Sequence, residues 1–103
     1  MSFTFRVRRS AGAVVDSDLA SELLGAEGIH LFQMWQRVCA DLRAAEGRRA
    51  SPDVLLDLAV EVIRARNAMV RAQIAAGWKP SAVDLNALER DELLVREADD
   101  RIL

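Results

Sequence analysis

Ser51-Pro52-Asp53 and Ala76-Gly77-Trp78-Lys79-Pro80 bracket one uninterrupted helical stretch, and that bracket constrains the fold more than any other feature of the chain. Ser51 is an N-cap type, and Pro52 suits the first helical position, where a missing N–H costs nothing. Asp53 follows where the helix dipole favours an anion. At the far end Gly77 takes the C′ position, Trp78 is the apolar residue after it, and Pro80 blocks continuation. The stretch between them holds about 26 residues and at 1.5 Å per residue spans roughly 39 Å. A compact domain of this size is about 33 Å across. The helix should therefore overhang a rounded monomer.

It also carries two apolar rows. Leu55, Leu58, Val62, Ala65, Met69, Ala72 and Ala76 recur at alternating steps of three and four, and so do Leu56, Val60, Ile63, Asn67, Val70 and Ile74. Only Asp57, Glu61, Arg64, Ala68 and Arg71 read as a solvent row. One apolar row takes the preceding helix in an αα-hairpin. The other needs the C-terminal helix or a second chain. Asn67, the polar member, would fix the register of such a seam between chains.

The flanking helices are weaker signals. Asp16 or Ser17 caps a short helix over 18–24 with Gly25 near its end. Gly28 then opens an amphipathic helix with Leu31, Trp35, Val38, Leu42 and Ala45 on its apolar stripe, ended by Gly47. Ser81 caps the last helix, with Asp84 as the acid of a capping box. Leu85, Leu88, Val95 and Ile102 share a face of that helix, but Glu92 interrupts it amid many further acids, and Glu92–Arg96 and Glu97–Arg101 are the expected i,i+4 pairs. This helix is expected to be largely exposed and poorly suited to cover a full seam. A homodimer is the favoured remedy.

The head of the chain has a different period. In Phe3-Thr4-Phe5-Arg6-Val7-Arg8, apolar and polar residues alternate as in a half-buried strand. The expected fold class is mainly α: a small helical bundle built on a long αα-hairpin, with a short N-terminal β-strand arm over 1–15 and one helical domain over 16–103. Ala13-Val14-Val15 is the arm's only internal mate, so Phe3, Phe5 and Val7 are expected to meet a second copy or a protein partner. With Leu56, Val60, Ile63, Asn67, Val70 and Ile74 they form the candidate interface.

Composition narrows the function classes. Hydrophobic residues make up 51% of the 103 residues, which excludes a disordered tail, and a net charge of −2 argues against a generally basic nucleic-acid binder. One cysteine allows no intrachain disulfide, and no apolar run approaches a membrane span, so the expected setting is cytoplasmic with no membrane contact. His30 and Cys39 lie nine residues apart, on opposite sides of a helix and roughly 13 Å along it, so they cannot form a Cys–His pair. Cys39 reads as a core thiol. Glu27 and His30 have the Glu-x-x-His spacing of carboxylate-bridged metal bundles, but Gly28 interrupts it and no second Glu is placed opposite. Phosphate loops and nucleophile elbows are missing from the sequence. No catalytic residue, metal or cofactor is expected. The expected function is that of a non-catalytic helical interaction or oligomerisation protein, an adaptor or assembly component.

An alternating N-terminal strand followed by two helices joined at Gly47-Arg48-Arg49-Ala50-Ser51 resembles the ribbon-helix-helix family. That resemblance implies a DNA-binding regulator in which a dimer's paired strands enter the major groove, with Thr4, Arg6 and Arg8 at base edges. Arg48 and Arg49, just before a helix N-terminus, add a candidate anion site. The pattern departs from the family in two respects: about twenty residues separate strand from first long helix, and the third helix is far too long.

Overall fold

The protein was analysed as a computed structural model that describes residues 17–102, which form α1 (Ser17–Leu24), α2 (Ala26–Gly47), α3 (Pro52–Ala75) and α4 (Ala82–Ile102). The chain is thus mainly helical, with no strand among the described residues. The expected strand arm, with Phe3, Phe5 and Val7, lies outside them.

Helix α3 is the spine. Helices α1 and α2 pack on one side of it, and among the described residues α4 packs on α3 alone. The caps read from the sequence are in place: Ser51 Oγ accepts a hydrogen bond from the Val54 N–H at 3.4 Å, and Ser81 Oγ accepts one from the Asp84 N–H at 3.1 Å. At the other end of α3, Gly77 has φ of 113°, and the Gly77 and Trp78 N–H groups each donate at 3.0 Å to the Ile74 and Gln73 carbonyls. Only glycine adopts that φ cheaply. This reversal folds Trp78 back onto the helix and sends α4 antiparallel along α3.

The expected overhang is absent. The 24 residues of α3 rise about 36 Å, close to the longest dimension of a body measuring 38 × 30 × 23 Å. The bundle is elongated rather than round, so the long helix is accompanied along its length.

Helix α2 ends at Gly47 as expected, but its start and its cap geometry differ from the sequence expectation. Gly47 is the last residue of α2, but the left-handed residue is Arg49, φ 56°, whose N–H donates to the Glu46 carbonyl while the Ala50 N–H donates to that of Ala45. Helix α2 also begins at Ala26, so Gly28 lies inside it rather than opening it. Gly28 is buried where α1 crosses α2, and a Cβ there would overlap the Ala20 carbonyl. Gly28→Ala is therefore expected to push α1 away and cost about 1–3 kcal/mol, lowering the melting temperature by about 4–8 °C per kcal/mol. An unchanged thermal melt would show that α1 does not cross there.

The core is split. Ala20, Trp35 and Met69, with Leu31, Phe32, Cys39, Val62 and Ala65 around them, join α1, α2 and α3. Val70 and Leu88, with Ile74, Trp78 and Leu85, join α3 to α4. The first apolar row of α3 thus meets α2 as expected, and the C-terminal half of the second row meets α4.

Candidate interaction surface

The polarity of α4 has a specific counterpart on α3. Arg71 forks onto Glu92, with Nε and Nη2 each 2.7 Å from a carboxylate oxygen. Arg64 spans Asp99 with contacts of 2.8 and 3.4 Å. Arg66 donates to Asp91 at 2.5 Å with both side chains about nine-tenths buried. The three cations stand on one helix and the three anions on the other. Arg64 and Arg71, which the sequence placed in a solvent row, flank the docked α4, and Glu92 turns to Arg71 rather than to Arg96. Helix α4 covers the C-terminal half of the second row and not the full seam, and most of its described residues are exposed. On α3 the Gln73 amide is fully buried, and none of its polar side-chain atoms has a hydrogen-bond partner among the described residues.

The exposed pairs tie α4 docking to pH. The hydrogen bond from Arg71 holds the Glu92 carboxyl below the usual carboxylate range, and that from Arg64 does the same for Asp99. A carboxylate with a depressed folded-state pKa adds stability above its unfolded pKa, near 4 for Asp and Glu, and loses it as pH falls through the lower folded value. The urea midpoint is expected to stay level between about pH 7 and 5 and to fall below about pH 4. A midpoint that rises on acidification would contradict these pairings.

Among the described residues Arg64–Asp99 is the ion pair nearest the C-terminal end of α4. Toward the N-terminus of α3 the two helices leave an open cleft of about 360 Å³, floored by Leu56, Leu58, Val60 and Ala98. Its rim carries the carboxylates of Asp57, Glu61 and Asp99 beside Arg64 and Arg101. Glu61 and Asp99 both engage Arg64, whereas Asp57 has no ion-pair partner among the described residues. Leu56 is 49% exposed.

The sequence candidates separate on this geometry. Leu56 and Val60 come together in the cleft. Ile63 is half-buried. Asn67 and Val70 are buried and Ile74 belongs to the α3–α4 cluster, so these three are covered within the chain rather than left for a second one. The sequence did not place Ala98, Asp99 or Arg101 in an interface, and assigned Arg101 to an i,i+4 pair with Glu97, because only the antiparallel return of α4 brings them beside Leu56. Phe3, Phe5, Val7, Thr4, Arg6 and Arg8 lie outside the described residues. Arg48 and Arg49 are exposed in the α2–α3 turn.

The groups weighed for chemistry are dispersed. Burial pushes the Cys39 thiol up, against the opposing pull of Arg43 and Arg66, so it is a protonated thiol beside the first core cluster at neutral pH. Glu27 and His30 are exposed on α2. Among the described residues no group of three or more His, Cys, Asp or Glu side chains is placed to hold a metal ion, and no helix is long and apolar enough to cross a membrane. No protein-family model, curated protein or solved structure matches this chain.

Proposed function

We propose that this chain is a non-catalytic interaction protein that self-associates as a homodimer through the cleft between the N-terminal half of α3 and the C-terminal end of α4. Its role is that of an adaptor or assembly component. The observation that carries the reading is the cleft itself, where among the described residues an apolar floor stays open and α4 covers only the other half of the second row. Burying a large aliphatic side chain contributes about 1.5–3 kcal/mol, so Leu56 and Val60 give a partner something substantial to cover. The mixed charges of the rim supply orientation, since rim charges set register more than affinity.

Leu56→Glu places a carboxylate beside Asp57 and Glu61 at a position already half exposed. The expected result in sedimentation velocity is a dimer for the parent and a monomer for the variant, with the same helical circular dichroism for both and a melting temperature that rises with concentration for the parent only. A parent that stays monomeric at hundreds of micromolar would overturn the proposal. A variant that stays dimeric would move the contact off the cleft.

A further inference from the structure

We infer that two copies close this cleft on each other about a two-fold axis, with Asp57 of each chain paired to the partner's Arg101. The inference rests on the self-association proposed above and names the residues that select a second copy of the same surface. The charges of the rim single them out. Arg64 engages both Glu61 and Asp99. That leaves Asp57 and Arg101, one of each sign, both exposed and neither with an ion-pair partner among the described residues. Arg101 does not reach Glu97, the neighbour expected for it on its own helix.

The two charges stand at separate points of the rim. Arg64 and Asp99 lie at one level across the helices, since they touch at 2.8 Å. From that level Asp57 is seven residues back along α3, about 10 Å, while Arg101 is two residues on along the antiparallel α4, about 3 Å in the same direction. They are thus offset by about 7 Å along the bundle, on helices whose axes lie about 8–10 Å apart. Val60 lies between the two levels. A two-fold axis set between two opposite charges exchanges their places, so each charge of one copy faces the opposite charge of the other and the apolar floor meets its own image. An unrelated partner would have to offer a cation and an anion at that same spacing around an apolar patch. A second copy carries them already, and the contact closes at two chains.

The test is charge exchange between two full-length variants, Asp57→Arg and Arg101→Asp, with circular dichroism to confirm that each keeps its helices. Alone, each sets like charges against each other twice in its homodimer and is expected to dimerise at least about tenfold more weakly than the parent. Added salt should narrow that gap, because it screens exposed charges. Mixed in equal amounts the two variants restore both opposite-sign contacts in the heterodimer, and the weight-average mass in sedimentation should return to that of the parent. The doubly exchanged variant should also dimerise like the parent. If both single variants dimerise as the parent does, the pair is not made across chains; the inference fails and self-association through the cleft stands. If the double variant recovers but the mixture stays monomeric, the two charges pair within one chain and the inference fails again. A monomeric parent would remove the self-association reading and the cross-chain pair together.

Discussion

Asp91→Ala is expected to lower the unfolding free energy by about 3–5 kcal/mol, because it removes the carboxylate opposite a buried guanidinium. Arg66 and Asp91 sit between α3 and α4 with side chains about nine-tenths buried, so water cannot replace the lost partner at low cost. The effect is specific to breaking the pair. Replacing both members with apolar residues of similar volume, Arg66→Met with Asp91→Leu, is expected to be near neutral or to stabilise by about 1–4 kcal/mol. Urea unfolding of the parent, the single variant and the double variant separates the cases. A single-variant loss below about 1 kcal/mol would mean that the pair is solvated as surface pairs are.

Leu88→Ala should be nearly as severe, at about 2–5 kcal/mol, and more local. Leu88 is fully buried against Val70, with Ile74, Trp78 and Leu85 around it, and this cluster is the main apolar hold on a helix that, among the described residues, packs on α3 alone. The ion pairs on either flank cannot substitute, since exposed pairs contribute about 0–1 kcal/mol each. Backbone hydrogen exchange is expected to accelerate first across residues 82–102 while α2 and the N-terminal part of α3 keep their protection. Equal acceleration throughout the bundle would show that α4 does not open as a unit.

Much of the frame was legible because its signals are local. Ser51-Pro52 and Gly77-Trp78-Lys79-Pro80 mark the ends of α3 through caps that act within a few residues, and Ser81 marks the start of α4 in the same way. The ion pairs between α3 and α4 were not legible for the opposite reason. Arg66 and Asp91 are 25 positions apart and Arg64 and Asp99 are 35 apart, so no window of helical spacing pairs them. The acids of α4 then resemble a solvated face. Gly28 was misplaced because a glycine early in a helix looks like a boundary, while its actual use, close approach of the Ala20 backbone, depends on a helix crossing. Arg49 in the left-handed region gives no sequence signal at all, since arginine is not selected for that conformation. For the cleft, Leu56 and Val60 were visible as members of an apolar row. Their neighbours on α4 were not, because they are adjacent only once the chain has reversed at Gly77.

The most direct test of self-association is the mass of the intact, unaltered chain followed by sedimentation from low micromolar to several hundred micromolar concentration. The expected result is a concentration-dependent rise from the 11.4 kDa of one chain to twice that value, with no larger species. A mass that stays at one chain throughout would contradict it.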